Sequence, residues 1–227
     1  MTLSHLLRVG PLADLCYYDF NMPSKNVVKQ YNDESYYHIY SRGVGKELVF
    51  RESIDYKYFL GLFKRYLSSE NIKNGGRIDY PKFDDFKLIS FCLMPTHIHL
   101  LIYQKDRDTI TKFMRSLMTS YSMYINKKYK RSGPLFQSNY KASLIDQESY
   151  LHHISRYIHL NPQKWRNYPY SSLAYVMKEK QADWIDTQPI LDLFDNKIYK
   201  YLRFVEDYED QKTMLDELKW ELANSDE

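Results

Sequence analysis

Cysteine is scarce in this chain: there are two, Cys16 and Cys92, far apart. That argues against a disulfide framework and a cysteine-built zinc site, and makes a reducing cytoplasm the expected setting. Long hydrophobic runs are also missing. No stretch approaches the roughly 18–20 apolar residues a membrane-spanning helix needs. There is no charged n-region followed by a long apolar core, so no secretory signal is expected. Neither G-x-x-x-x-G-K-[ST] nor G-x-S-x-G occurs, which removes a phosphate-binding P-loop and a serine nucleophile elbow. Internal repeats and low-complexity tracts are absent. At 227 residues, 44% hydrophobic and 27% charged, the chain is not disordered wholesale, and its length suits one domain with or without an appended segment.

Aromatics, by contrast, are plentiful at 16%, with 23 tyrosines. Such a content follows from an AT-rich coding sequence, or it supplies stacking faces for bases or sugars. The net charge of +3 conceals a strong division. Residues 1–100 carry +2, residues 101–180 carry +9 and residues 181–227 carry −8. A basic middle suits a polyanionic partner, although solvated lysines produce the same count. The acidic end reads as a solvated helix or as a shield for the basic surface.

Residues 1–30 lack a sustained period and read as an atypical, disordered leader, with Met22 an alternative start. From Tyr36 the pattern predicts a strand, then a helix over 53–68 and a break at Asn74-Gly75-Gly76. Strands over 87–94 and 97–103 follow, joined by Pro95-Thr96. A long amphipathic helix over 108–130 ends at Ser132-Gly133-Pro134, and a strand over 139–145 precedes a helix over 147–161 that Pro162 stops. This β-α-β-β-α-β-α order predicts an α+β, ferredoxin-like split β-α-β with a four-stranded antiparallel sheet, an added helix and a helical C-terminal tail. The expected divisions are a leader to residue 30, a core domain over 31–175 and an acidic, mainly helical extension over 176–227, with a helix near Asp207–Leu222.

Two constellations carry chemistry. In M-P-T-H-I-H-L-L-I, residues 94–102, His97 and His99 point to one strand face, with Cβ atoms about 7 Å apart. That pair suits a metal ion or a phosphate, though strands also carry such pairs by chance. In Y-L-H-H-I-S-R-Y-I-H-L-N-P, residues 150–162, His153, Tyr157 and Asn161 form one helical stripe. The bland alternative is a packed tyrosine and a helix-capping Asn161.

Together these segments resemble the single-tyrosine HUH transposase family, nearest the REP-associated tyrosine transposases. M-P-T-H-I-H-L-L-I is similar to the family's histidine–hydrophobic–histidine motif, and S-R-Y-I-H-L-N-P to its nucleophile helix. S-G-P-L-F-Q-S-N-Y-K-A, residues 132–142, and the strand Y-Y-H-I-Y-S-R-G-V also fit, so the resemblance spans about 35–175. Two departures stand out. Thr96 replaces an Asn common in the subgroup, and Ser138-Asn139 replaces Gly-Arg, which removes an expected phosphate contact.

The resemblance implies a metal-dependent tyrosine endonuclease and transposase acting on single-stranded or hairpin DNA. Tyr157 would be the nucleophile, forming a 5′-phosphotyrosine. His97, His99 and Asn161 would hold a divalent ion, Mg or Mn. A phenol titrates near 10, so it needs such a nearby cation. His153 is an accessory candidate, and His159 is adjacent to the stripe; His38 reads as structural. Arg42, Lys112, Arg115, Lys127, Lys128, Lys130, Arg131, Lys141 and Arg156 are candidate DNA-backbone contacts. Two other functions compete on the same scaffold: a catalytically silent, domesticated hairpin binder, and a metal-dependent phosphoesterase that uses water. The intact set His97, His99, Tyr157 and Asn161 favours the enzyme over the binder, and a covalent DNA adduct separates it from the phosphoesterase. Monomer and homodimer are both compatible with the sequence.

Overall fold

The computed structural model describes residues 31–69, 80–145 and 148–208, all within the compact unit Tyr31–Glu227. The expected leader over 1–30, the Asn74-Gly75-Gly76 break and the end of the acidic tail lie outside the described residues. The order is β1 (Ser35–Arg42), α1 (Ser53–Leu67), β2 (Phe86–Met94), β3 (His97–Gln104), α2 (Thr109–Lys128), β4 (Lys141–Ile145), α3 (Glu148–His159), α4 (Leu173–Val176) and α5 (Gln188–Asp192). A further helical run covers 198–208. Among the described residues, no helix is long and apolar enough to cross a membrane.

The strands form one antiparallel sheet in the order β2-β3-β1-β4. Strand alternation gives the sheet two apolar faces, and each is covered. Tyr37, Ile39, Ile98, Leu100 and Ile102 join Phe59, Phe63, Phe113, Leu117 and Tyr121 of α1 and α2 in one core. Cys92 and Leu101, on the opposite face, join Leu151 and Ile158 of α3 in a second. A bulge between Leu88 and Ser90 decides the phase of β2. Leu88 sits in the first core opposite Ile102, yet Ser90 and Cys92 lie opposite Leu101 and His99 on the other face. One extra residue thus turns the end of β2 toward the histidine side.

Helix α1 begins with a carboxylate that reaches back. Asp55 accepts hydrogen bonds from the backbone N–H groups of Glu52 (3.0 Å) and Arg51 (3.0 Å). Its side chain is wholly buried, and Lys128 Nζ at 2.6 Å, Tyr129 Oη at 2.7 Å and Tyr124 Oη at 3.2 Å also donate to it. One carboxylate therefore starts α1 and pins it to the end of α2.

The segment after residue 175 is not an appendage as far as 208. Val176, Ile190, Leu191, Tyr201 and Val205 are buried in the second core, and Trp184 in the first. Its neighbours also pair with the β2 edge. Leu93 N–H donates to Tyr170 O (2.9 Å), Ser172 N–H to Phe91 O (2.9 Å) and Asp186 N–H to Leu88 O (2.8 Å). Helices α4 and α5 are short because turns at 177–180 and 193–196 break them. A hydrophobic period tuned to long helices does not find such pieces.

Candidate active site

Cross-strand register assembles the site. His97 lies opposite Arg42 and His99 opposite Tyr40, so all four side chains share the face that α3 covers. The turn before His97 is fixed by close packing. Gly43 N–H donates to Thr96 O (2.9 Å), and the N–H groups of Val49 (2.8 Å) and Phe50 (3.1 Å) donate to Pro95 O. A Cβ on Gly43 would sit 2.4 Å from Glu47 O, so only glycine lets the chain fold back on itself over 43–47.

Asn161 follows the last turn of α3 and places its amide between the two imidazoles. His97 Nε2 lies 3.1 Å from Asn161 Oδ1, and Asn161 Nδ2 lies 3.2 Å from His99 Nε2. The outer ring nitrogens are engaged as well: His97 Nδ1 meets Thr96 Oγ1 at 3.0 Å, and His99 Nδ1 meets His38 Nε2 at 2.9 Å. One directional chain satisfies all four contacts. Thr96 O–H donates to His97, His97 Nε2–H to the amide oxygen, the amide nitrogen to His99 Nε2, and His99 Nδ1–H to His38.

Burial holds His97 below the usual imidazole range, with Arg42 adding to the effect against the Asn161 hydrogen bond. Burial, then His38 and His97, push His99 down further. Burial alone puts His38 at about 4. All three rings are therefore neutral near pH 7, the state a metal ligand requires. Tyr157, 37% exposed, stands its ring edge-on to His99 at 5.4 Å and to His38 at 5.9 Å.

Two imidazoles and one amide oxygen within mutual reach suit a divalent ion. Their outer nitrogens are tied to neighbours, as those of metal-binding histidines commonly are. Among the described residues, no group of three or more His, Cys, Asp or Glu side chains could hold a metal. This set is neutral, so a bound dication would keep its full charge for a phosphate.

The remaining sequence expectations fare unevenly. His153 turns away from Tyr157: its Nδ1 accepts from Arg156 Nη2 (3.0 Å), and its ring lies 5.5 Å from Phe204. Arg156 is not a surface contact for DNA. It is buried, its guanidinium 4.1 Å from the rings of both Phe204 and Tyr208. Lys128 is committed to Asp55, and Arg131 Nη2 pairs with Glu47 at 3.3 Å. Arg42 does reach the site, and its Nε is buried without a hydrogen-bond partner. Lys141, opposite Tyr40, is exposed on the same sheet face. Lys112, Arg115, Lys127 and Lys130 are exposed on or just beyond α2, which covers the other face.

His159 is structural. It is fully buried, with Nε2 at 2.7 Å from Ser172 Oγ and 3.1 Å from Ser90 Oγ, and Nδ1 at 2.6 Å from Tyr201 Oη. Tyr201 also donates to Ser155 Oγ (3.2 Å). The residue that sequence reasoning undervalued is His38. Strand alternation alone would have placed it on the face of Tyr40 and Arg42; only the register brings it to His99.

Residues 79–161 match the family described as Transposase IS200 like. That span runs from β2 to the end of the α3 turn and contains His97, His99, Tyr157 and Asn161. No curated protein matches the chain at a significant level. Among solved structures, the chain is similar to a REP-associated tyrosine transposase bound to a REP hairpin. The identity there is 17% and the TM-score 0.45, covering 70% of this chain and 91% of that one. It is also similar to a candidate transposase from Deinococcus radiodurans R1, at 14% identity and TM-score 0.37, covering 57% of this chain and 92% of that one. Residues 79–161, with the histidine pair and the tyrosine helix both inside them, are thus similar to the IS200-like transposase family.

Proposed function

We propose that this protein is a DNA strand transferase that cuts and rejoins single-stranded or hairpin DNA, with Tyr157 as nucleophile. One observation carries the reading. Tyr157 stands against His99 and His38 on the helix whose following Asn161 amide bridges the Nε2 atoms of His97 and His99. His97, His99 and Asn161 would hold a divalent ion, Mg or Mn; when bound, it would act as a Lewis acid on the scissile phosphate.

The chain's own groups do the rest. The Tyr157 oxygen forms a bond to phosphorus, and the bond from phosphorus to the 3′-oxygen breaks. The phenol gives up a proton and the departing 3′-oxygen gains one, leaving a 5′-phosphotyrosine and a 3′-hydroxyl. The phosphoester count is unchanged, so a 3′-hydroxyl can reverse the step and join strands. Arg42, opposite His97 and with an unpartnered buried Nε, supplies a fixed positive charge beside the reacting phosphate. Lys141 extends that charge along the same face.

The test is incubation with single-stranded DNA from the flanks of the gene and Mn²⁺, followed by a denaturing gel. The expected result is a covalent protein–DNA adduct that Tyr157→Phe abolishes while DNA binding persists. An adduct in the Phe variant would assign another tyrosine. Cleavage without an adduct would make water the nucleophile, and binding without cleavage would leave a hairpin binder.

A further inference from the structure

We propose that His38 is a positioning residue: it holds the His99 imidazole with its proton on Nδ1, so that the Nε2 lone pair faces the centre of the site. The inference deepens the reading above and rests on it where a metal ion is concerned.

His38 sits on β1 opposite Leu101, one step along the face from the Tyr40–His99 pair, so it reaches His99 diagonally. Its Nε2 lies 2.9 Å from His99 Nδ1, and the two rings are nearly parallel, 8° apart. The structural His159 is satisfied by hydroxyl groups, whereas His38 bonds to another imidazole, and that imidazole faces Asn161. The same His38 ring forms part of the wall against which Tyr157 stands.

The consequence is an asymmetry between the two histidines. His97 has a hydroxyl, Thr96 Oγ1, at its outer nitrogen. A hydroxyl donates or accepts by rotating, so His97 can adopt either tautomer. At His99 the Asn161 amide nitrogen donates to Nε2, so the neutral ring carries its proton on Nδ1 and His38 Nε2 accepts it. His99 is thereby preset as a ligand, while His97 must move its proton from Nε2 to Nδ1 before it can serve as one.

The experiment compares the full-length protein with His38→Gln and His38→Leu. A Gln amide oxygen can accept from His99 Nδ1–H; a Leu side chain fills the space without an acceptor. Long-range ¹H–¹⁵N correlation spectra of the metal-free proteins read the His99 tautomer, and titration reads Mn²⁺ affinity. The wild type and the Gln variant are expected to show His99 protonated on Nδ1. The Leu variant is expected to show mixed tautomers and Mn²⁺ binding about ten- to hundredfold weaker. Packing loss alone would move both variants together, so a split between them is the signature of positioning. Equal tautomers and equal affinity in the two variants would overturn the proposal. So would wild-type His99 carrying its proton on Nε2, a result that needs no variant to fold. If the wild type binds no Mn²⁺ at all, the metal reading of the site falls, and the tautomer spectra still decide the role of His38.

Discussion

Tyr201→Phe removes one oxygen from the buried network beneath α3, the helix that carries Tyr157. That hydroxyl meets His159 Nδ1 at 2.6 Å and Ser155 Oγ at 3.2 Å. Ser155 keeps its own bond to His152 O (2.9 Å), so the loss falls on His159, which is fully buried. A buried polar atom stranded without a partner costs about 1–3 kcal/mol. The ring itself stays, so no cavity term is added. For a chain of this size, about 2 kcal/mol lowers the melting temperature by roughly 4–8 °C. Tyr199→Phe, two residues away and 64% exposed, is the control and should leave it unchanged. Circular dichroism melts of the two variants decide the matter. Equal melting temperatures for Tyr201→Phe and the wild type would show that the network adds nothing to stability. Because Tyr201 touches none of the site residues, DNA cleavage well below the melting point should stay near wild type.

Three further outcomes are expected. Deleting residues 181–227 removes Trp184, Ile190, Leu191, Tyr201 and Val205 from the cores, at about 1.5–3 kcal/mol each. That total rivals the whole stability of a domain, so the truncated chain should show no cooperative melt, and a sharp one would refute the placement. Acid should destabilise the metal-free protein. His159 and His38 titrate near 3 and 4 when folded, against about 6.5 unfolded, so the unfolded chain takes up protons first. Stability is then level above pH 6.5 and falls as the pH drops toward 4, by about 2–3 kcal/mol per histidine at pH 4.5; urea melts at pH 7 and 4.5 that coincide would contradict this. Arg42→Ala and Lys141→Ala should each weaken single-strand binding and flatten its salt dependence, whereas Lys128→Ala should instead lower the melting temperature, because its partner is a buried carboxylate. Equal effects on binding from all three would mean that the split between paired and available cations is wrong.

The order of strands and long helices was legible because each has its own hydrophobic period, and Pro162 and Ser132-Gly133-Pro134 mark two of the helix ends. The pair His97 and His99 and the stripe of Tyr157 and Asn161 were legible for the same reason: each is local. What depends on register or on distant partners was not. The bulge at Leu88–Ser90 leaves no local mark, yet it sets which side of β2 faces the histidines. Arg156 read as a surface cation because Phe204 and Tyr208, which enclose it, lie some 50 residues later. Lys128 read the same way because Asp55 lies 73 positions earlier. Charge counts treat a buried pair and a solvated side chain alike, so the basic middle overstated the cations available to a polyanion.

The network around His159 also limits how the protein can move. His159 lies between Tyr157 and Asn161 in sequence, and it is tied at once to Ser90 on β2, Ser172 beside α4 and Tyr201 in the run 198–208. Swinging α3 out alone would strand all of these groups in an apolar interior. Tyr157 and Asn161 therefore travel as one rigid body with the sheet, and under the proposed strand transfer the freedom to exchange one strand end for another would come from the DNA.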